Sequence, residues 1–408
     1  MKNSNSSEAG SPRSSRRSFL QLSSAAAIAA AGIPILTEQH FAQRLARTGS
    51  HPFPKGAVVI DSNENPLGPC SAACNAVSSI APQGGRYADW LTDDLIETFA
   101  SQQGLKTEYV QAYAGSSGPL HFSVLAFTSP AKCYVGADPG YEAGTHAAKY
   151  SGARVVNVPL TKTYSHDVKA MLAAGPDAGL FYVCTPNNPT GTMTSHSDIE
   201  FLVANKPKGS VVMVDEAYIH FSDGTSAIDL VKADKDVVVL RTFSKLYGMA
   251  GLRCGFAIAR PDLLEKITAF AGWNPMPVTA VVAANESLKD PRIVAERKQV
   301  NASIRQSTFE WLDRNGYSYV ASESNCFMLD GKRPARELIN AMAAQNVYVG
   351  RPWPVWPTHV RITVGTQPEM EAFQAALKRV TSGATAAMVM PRRTRLNLDG
   401  VVIPSERA

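Results

Sequence analysis

Residues 241–256 read Arg-Thr-Phe-Ser-Lys-Leu-Tyr-Gly-Met-Ala-Gly-Leu-Arg-Cys-Gly-Phe and contain the most informative lysine of the chain, Lys245. Lysines usually lie in solvated positions, whereas Lys245 stands between the strand-like apolar run 237–240 and a segment punctuated by glycines. Desolvation favours the neutral amine of a lysine, which is nucleophilic and can form a Schiff base with an aldehyde. Arg253 follows and could hold a phosphate through its fork of N–H donors. Taken alone, the stretch also fits a loop lysine and arginine at the end of a buried strand.

An aldehyde-binding lysine and a phosphate-binding arginine together suggest pyridoxal 5′-phosphate, and a third residue fits the same cofactor. Asp215 ends the apolar run 211–214, where α/β proteins place site residues. A carboxylate there can pair with the pyridinium nitrogen and keep it protonated, so that the ring accepts electrons. Upstream, residues 181–191 read Phe-Tyr-Val-Cys-Thr-Pro-Asn-Asn-Pro-Thr-Gly, another buried strand followed by a turn.

These motifs occur in an order that resembles one family. Asn-Asn-Pro-Thr-Gly at 187–191, Asp-Glu-Ala-Tyr at 215–218, Ser-Lys at 244–245 and Gly-Leu-Arg-Cys-Gly-Phe at 251–256 are similar to the aspartate aminotransferase superfamily of pyridoxal-phosphate enzymes, fold type I. Within it, the chain most resembles the histidinol-phosphate aminotransferase subfamily. The resemblance implies a PLP-dependent aminotransferase.

The similarity covers most of the chain. It runs from Asn-Glu-Asn-Pro-Leu-Gly-Pro at 63–69 to Val-Arg-Ile-Thr-Val-Gly-Thr at 360–366. It implies an α/β fold in which a large domain holds a mostly parallel seven-stranded sheet and a small domain is α+β.

The hydrophobic pattern independently predicts a sheet of this kind. Strand-like apolar runs lie at 133–136, 153–158, 180–184, 211–214, 237–240 and 255–259. Helical patterns lie between several of them, and such alternation is typical of a mostly parallel sheet covered on both faces. After residue 277 the chain changes to long charged helical segments and a few strands, the composition of a small α+β domain. We predict a leader at 1–42, an irregular arm at 43–82, a large domain at 83–277, a small domain at 278–382 and a tail at 383–408.

The N-terminus predicts export. Arg16 and Arg17 precede Phe19 and Leu20, and an uncharged, alanine-rich stretch follows. A twin arginine before a short apolar region is typical of a Tat signal, which the Tat translocase would recognise. Tat export carries folded proteins, so the cofactor could be inserted before translocation. We therefore expect the mature protein to begin near Gln43 and to work in the periplasm.

The net charge and the cysteines argue against a nucleic-acid partner and a metal site. The chain has 408 residues and a net charge of +5, too small and too dispersed to indicate nucleic acid. Cys133, Cys184 and Cys254 lie in or beside apolar runs and are predicted core residues. Cys70 and Cys74 could form a disulfide, but a pair alone does not make a zinc site, and we predict no metal.

Residues 115–118, Gly-Ser-Ser-Gly, stand before an apolar helical stretch, and backbone N–H groups at a helix start form an anion pocket. The resemblance implies that Ser116 and Ser117 bind the cofactor phosphate and that Ser244 and Arg253 complete its shell.

The resemblance also implies contacts with the cofactor ring. Tyr141 would stack on the pyridine, while Asn188 and Tyr218 would hydrogen-bond its hydroxyl. Tyr87 matches a tyrosine that reaches the phosphate of the neighbouring subunit, so the active unit would be a homodimer.

For the substrate, the resemblance implies that Arg361 binds an anionic group and that Asn63 lies at the substrate site. An arginine in an otherwise apolar strand is costly to bury unpaired, so a bound anion is a sensible partner, and a structural salt bridge is the alternative. Trp353 and Trp356 precede Arg361 on a proline-rich loop. They could form an apolar wall that favours aromatic or imidazole-bearing amines, or they could pack between the two domains.

Three functions remain open from the sequence. The first is transamination, which moves an amino group from an amino acid or amine, histidinol phosphate-like or aromatic, to a 2-oxo acid. The second is a PLP-dependent lyase of the threonine-phosphate decarboxylase type, because that enzyme shares this scaffold. The third is a binding protein without activity, against which the complete set of motif residues argues. Because histidine biosynthesis is cytoplasmic, a Tat leader fits poorly with histidinol phosphate as the physiological donor.

Overall fold

The computed structural model describes residues 53–273 and 275–382. The strands, in chain order, are β1 (Val58–Ile60), β2 (Val110–Tyr113), β3 (Cys133–Asp138), β4 (Val155–Pro159), β5 (Ala178–Cys184), β6 (Val211–Asp215), β7 (Val237–Thr242), β8 (Gly255–Ile258), β9 (Ser318–Val320), β10 (Cys326–Asp330), β11 (Val347–Val349), β12 (Pro352–Trp353) and β13 (Trp356–Thr363). The helices are α1 (Ser71–Ile80), α2 (Asp89–Gln103), α3 (Ser117–Phe127), α4 (Ala143–Tyr150), α5 (Val168–Ala174), α6 (His196–Asn205), α7 (Ile228–Lys232), α8 (Pro261–Ala271), α9 (Val278–Lys289), α10 (Ile293–Arg314), α11 (Ala335–Ala344) and α12 (Gln367–Thr381).

A mixed seven-stranded sheet forms the centre of the fold, in the order β2-β8-β7-β6-β5-β3-β4. Strands β7, β6, β5, β3 and β4 pair in parallel, while β8 is antiparallel to both of its neighbours. The predicted α/β class and the mostly parallel seven-stranded sheet are therefore confirmed. All six strand-like runs form strands, and β2 is the seventh.

Burial explains why the central strands are apolar throughout. Every residue of β5, β6 and β7 is buried, because helices cover both faces of the sheet. On one face Phe99 stacks on Phe256 with ring centroids 4.4 Å apart. On the other face Tyr134 stacks on Tyr182. The two layers of core fix the sheet between the helices.

A second group of strands follows the large sheet. Strands β12, β13, β10 and β9 form an antiparallel sheet, and β1 pairs in parallel with β11. Helices α10, α11 and α12 cover an apolar core that includes Phe327, Leu338 and Phe373. The pattern after residue 277 is α+β, as predicted, and the domain boundaries themselves remain predictions.

The arm predicted as irregular at 43–82 contains regular structure where it is described. Residues 58–60 form β1, and residues 71–80 form α1, which packs against α9. The expectation was wrong because each element depends on a partner more than 200 residues away: Val58 pairs with Val347, and α1 rests on residues 278–289.

The leader at 1–42 and the tail at 383–408 lie outside the described residues. Within the described part of the chain, no helix is long and apolar enough to cross a membrane. Cys133, Cys184 and Cys254 are buried, as predicted. Cys70 and Cys74 are free thiols, so the suggested disulfide is not formed.

Candidate active site

A cleft opens where the parallel strands of the large sheet end. In parallel β5 and β6, Cys184 lies beside Asp215 at the carboxyl ends of the strands. The loops that follow β2, β3, β5 and β7 all reach the same edge, as expected for an open α/β sheet. The cleft is lined by Ser62, Ser116, Ser117, Tyr141, Cys184, Asn188, Asp215, Ala217, Tyr218, Thr242, Ser244, Lys245, Arg253 and Arg361.

Ten of the twelve predicted site residues therefore line one cleft, and the two that do not are Asn63 and Tyr87. Residues from sequence positions 116 to 361 meet there because the sheet brings the strand ends together. No single segment of the chain holds the site.

Lys245 projects into the cleft from the loop after β7. Its Nζ donates a hydrogen bond to the backbone carbonyl of Ser62 at 3.2 Å. The same Nζ lies 5.6 Å from the ring centre of Tyr218. The amine of Lys245 thus contacts a backbone oxygen and lies near an aromatic ring at the cleft.

Asp215 is a buried acid at the floor of the cleft, with 3% of its surface exposed. Its Oδ2 accepts a hydrogen bond from the hydroxyl of Tyr182 at 2.9 Å, and its Oδ1 accepts one from the backbone N–H of Ala217 at 3.1 Å. Burial raises the pKa of Asp215 to about 6, although both hydrogen bonds act in the opposite direction. A cationic partner in the cleft would favour the ionised form.

Arg253 and the start of α3 form the anion-binding end of the cleft. Arg253 Nη1 donates to Ser244 Oγ at 3.2 Å, and Nη2 donates to the carbonyl of Ala114 at 3.3 Å. Burial lowers the pKa of Arg253. Gly115 has φ of +88°, and a Cβ there would overlap the Arg253 guanidinium, so only glycine allows this approach. The guanidinium and the first N–H groups of an eleven-residue helix point to a site for phosphate.

Arg361 lies on β13 at the opposite side of the cleft, and only 2% of it is exposed. Its Nη1 donates to Asn188 Oδ1 at 2.9 Å, and its Nη2 donates to the carbonyl of Asp61 at 2.7 Å. The structural alternative, a salt bridge to an acid, is not what these two contacts provide. Both of these contacts are with neutral oxygens, and they fix the guanidinium at the wall of the cleft.

Asn63 does not line the cleft but contacts Tyr218, which does. It is fully buried with φ of +54°, and its Nδ2 donates to the hydroxyl of Tyr218 at 3.1 Å. Its backbone N–H donates to Thr363 Oγ1. The structure therefore places Asn63 where it orients Tyr218, and its assignment to the substrate site stays a prediction.

Tyr87 lies away from the cleft of its own chain. It is 61% exposed and packs edge-on against Trp273, with ring centroids 4.7 Å apart. Trp90, Phe270 and Trp273 are also at least half exposed. A tyrosine in this position does not complete the site of its own chain.

The tryptophans do not form the predicted wall. Trp353 is buried, and its Nε1 donates to the carbonyl of Gly140 at 3.1 Å. Trp356 packs against Tyr164 and His359, and neither tryptophan lines the cleft. Trp353 joins β12 to the turn before α4, which is the packing alternative.

Sequence inspection missed Tyr182, Ser62 and Thr242. Tyr182 could have been found, because it lies two residues before Cys184 and side chains two apart share a face of a strand. Ser62 could not, since its backbone carbonyl makes the contact and any residue has one.

Comparison with known proteins identifies the family. The pattern of Aminotransferase class I and II matches residues 56–377, most of the chain. This chain belongs to the class I and II aminotransferases. It is therefore a transaminase that depends on pyridoxal 5′-phosphate.

Individual relatives have two kinds of name. A histidinol-phosphate aminotransferase of Moorella thermoacetica is 32% identical, over 80% of this chain and 86% of the relative. An aromatic amino acid aminotransferase of Rhodococcus opacus is 35% identical, over 78% and 89%. The crystal structure of histidinol-phosphate aminotransferase from Sinorhizobium meliloti in complex with pyridoxal-5′-phosphate has a TM-score of 0.73 at 23% identity, covering 87% of this chain and 97% of that one. The similarity to the Sinorhizobium meliloti structure shows the fold alone.

The residues of the cleft fit this cofactor. Asp215 supplies a buried carboxylate whose raised pKa calls for a cationic partner, which a protonated pyridine would be. Arg253 and the start of α3 supply donors for a phosphate. Lys245 supplies an amine in the same cleft.

Proposed function

We propose that this aminotransferase takes an amino acid or amine with an aromatic or imidazole-bearing side chain as donor, and a 2-oxo acid as acceptor. The names of the relatives support this choice, since both histidinol-phosphate and aromatic amino acid aminotransferases are among them. The single structural observation that carries transamination is the convergence of Lys245, Asp215, Arg253 and Arg361 on one cleft, while the choice of donor rests on the names of the relatives.

Each of these residues has a role that its contacts support. Arg253, Ser116, Ser117 and Ser244 would hold the cofactor phosphate. Asp215 would pair with the ring nitrogen, and Tyr182 and Ala217 hold its carboxylate in place.

The remaining residues orient the ring and the donor. Tyr141 would stack on the ring, and Asn188 and Tyr218 would hydrogen-bond its hydroxyl. Arg361 binds the anionic group of the donor, because its guanidinium lines the cleft and hydrogen bonds to Asn188 and to the carbonyl of Asp61 hold it there.

When bound, the cofactor supplies an aldehyde for the donor's amine and a ring that stabilises negative charge at the donor's α-carbon. Lys245 Nζ moves the proton from that carbon, since it is the basic amine in the cleft. Asn63 acts through Tyr218, whose hydroxyl it contacts. Arg361 fixes the donor so that its α-hydrogen faces Lys245.

A donor screen tests this function. Purified protein is incubated with single amines and 2-oxoglutarate, and glutamate formation is measured. Aromatic and imidazole donors, after which the relatives are named, should give kcat/KM at least about tenfold above those of aspartate and alanine, which is within the discrimination that side-chain contacts supply. Release of carbon dioxide without glutamate would instead favour the lyase.

We further propose that the active unit is a homodimer. Tyr87, Trp90, Phe270 and Trp273 are exposed aromatic residues in one stretch of the fold, and exposed apolar patches commonly mark interfaces. A partner that covers them could receive Tyr87 at its own cleft. This accounts for a tyrosine that lies outside the site of its own chain.

We also propose that the Tat translocase exports the folded protein to the periplasm. The twin arginine at 16–17 and the uncharged stretch after it support this. Cofactor insertion would then precede export.

A further inference from the structure

A cluster of metal-ligating side chains lies outside the cleft, where α6 contacts α7. His196 and Glu200 are at positions i and i+4 of α6, so their side chains share one face of that helix. Asp229 lies in the first turn of α7. Possible ligand atoms of the three residues all lie within 4.8 Å of one another. Two helices therefore bring an imidazole and two carboxylates to one point of the surface.

The imidazole of His196 is the fixed centre of this cluster. Its Nε2 lies 2.9 Å from Asp229 Oδ1, and its Nδ1 lies 3.6 Å from Glu200 Oε2. Only 19% of the His196 side chain is exposed, whereas the side chains of Glu200 and Asp229 are about half exposed. The exposed carboxylates can rotate toward an ion on one ring nitrogen. A carboxylate beside the other nitrogen would accept its N–H and orient the ring.

The charges of the cluster do not balance. Across the described ranges of the chain, neither Glu200 nor Asp229 forms an ion pair with a lysine or an arginine, and their cationic partner is His196 alone. Two carboxylates and one imidazole carry a net negative charge whether or not the imidazole is protonated. A divalent cation would compensate this charge. An imidazole among the ligands favours zinc and its neighbours over Mg²⁺ and Ca²⁺, which prefer oxygen.

The segment that carries Asp229 also supports the cleft. The hydroxyl of Ser226 and the backbone N–H of Ala227 donate to the carboxylate of Glu216. Glu216 directly follows Asp215, the buried acid at the floor of the cleft. Asp229 lies two residues beyond Ala227, so an ion bound to it would hold this segment against α6.

We propose that His196, Glu200 and Asp229 bind one divalent transition-metal ion of the Zn²⁺ class, which fastens α7 to α6. The site shares no residue with the cleft, and the ion takes no part in transamination. Its effect is on stability, because a ligand that binds only the folded state stabilises it. Inspection of the sequence for cysteine pairs did not detect this cluster, because Asp229 joins the other two residues only in the fold.

Isothermal titration calorimetry with Zn²⁺ tests the proposal on the cofactor-loaded protein without an affinity tag. The wild type should bind one Zn²⁺ per chain at this site. His196→Gln keeps a polar side chain but removes the imidazole, and it should weaken Zn²⁺ binding at least about tenfold. Glu200→Gln and Asp229→Asn should each weaken it too. Mg²⁺ should bind the wild type more weakly than Zn²⁺.

His359→Gln is the matched control. His359 is another half-buried histidine, and it lies opposite Asp330 on paired strands, away from the cluster. Its replacement should leave the affinity for Zn²⁺ unchanged. Circular dichroism and the visible spectrum of the bound cofactor show that each variant is folded and loaded. Glu200→Gln alters an exposed side chain and carries the test if His196→Gln does not fold.

Thermal unfolding gives a second readout, since Zn²⁺ should raise the Tm of the wild type and of His359→Gln but not that of His196→Gln. The proposal is overturned if the wild type binds no Zn²⁺ or binds Mg²⁺ as tightly. It is also overturned if neither His196→Gln nor Glu200→Gln lowers the affinity, because the ion would then bind elsewhere, for example at the free thiols of Cys70 and Cys74. None of these results bears on the proposed transaminase function, which rests on the cleft.

Discussion

The hydroxyl of Tyr182 donates a hydrogen bond to Asp215 Oδ2 at 2.9 Å, from the strand next to that of Asp215. The contact holds a carboxylate at the floor of the cleft in a fully buried position. The hydrogen bond joins β5 to β6. Tyr182 on β5 therefore fixes the orientation of the carboxylate that β6 supplies.

Asp215→Asn should lower kcat by several orders of magnitude with a smaller loss of cofactor affinity. A neutral amide no longer favours a protonated ring nitrogen, so negative charge at the donor's α-carbon is less stabilised. Steady-state kinetics with phenylalanine and a cofactor titration measure the two effects. Turnover near that of the wild type would give the carboxylate another role.

The same acid predicts how the stability of the cofactor-free protein depends on pH. The folded pKa of Asp215, about 6, lies above the ordinary value of 3.8, so the folded state binds more protons between these values and its stability falls as pH rises through them. Relative to Asp215→Asn, the free energy of unfolding of the wild type should fall by up to about 3 kcal/mol between pH 4 and pH 7. This is the equivalent of a pKa difference of about two units.

Chemical denaturation of the cofactor-free proteins across this range measures the difference. Asp177→Asn is a control of opposite sign, because Arg154 lowers the pKa of Asp177, and that pair is lost as pH falls. If the difference in free energy of unfolding between wild type and Asp215→Asn does not change with pH, the prediction is wrong, and Asp215 has the same pKa in the folded and unfolded states.

Mixing two inactive variants tests whether Tyr87 acts across subunits. Tyr87→Ala and Lys245→Ala should each be nearly inactive as pure dimers. A heterodimer would hold one site with its own Lys245 and the partner's intact Tyr87, so equal mixing with subunit exchange should restore about a quarter of wild-type activity. If the mixture remains inactive, Tyr87 either acts in the site of its own chain or has no role in catalysis.

Export should depend on Arg16 and Arg17. Replacing both with lysine keeps the charge but removes the twin arginine that the Tat system recognises. Cell fractionation should then find the protein in the cytoplasm, while replacing Lys2 and Arg13 instead should leave export intact. A periplasmic fraction that the double replacement does not reduce would show that the leader has another function.

Sequence pattern predicted the strands whose signal is local. β5 and β6 are continuous apolar runs because both of their faces are covered, so six of the seven strands could be located. β2 could not, because Val110–Tyr113 is short and mixed and pairs with β8, some 145 residues later. β1 and β11 depend on each other in the same way.

The residues of the site also divide into those that the local sequence predicts and those that it does not. Residues at strand ends or in motif loops, such as Asp215 and Lys245, could be predicted because their position follows from the order of the strands. The place of Asn63 behind Tyr218, and the hydrogen bond from Trp353 to Gly140, depend on contacts between segments more than 150 residues apart. No local pattern encodes such contacts.

The central claim is that Lys245 is the amine that carries the chemistry of this transaminase. Reduction of the purified, cofactor-loaded protein with borohydride, followed by peptide mapping, tests it most directly, and Lys245→Ala serves as the folded control without turnover. The account predicts a cofactor-modified peptide that contains Lys245 and no such peptide from Lys245→Ala. Cofactor attached to another lysine, or glutamate formation by Lys245→Ala at the wild-type rate, would contradict it.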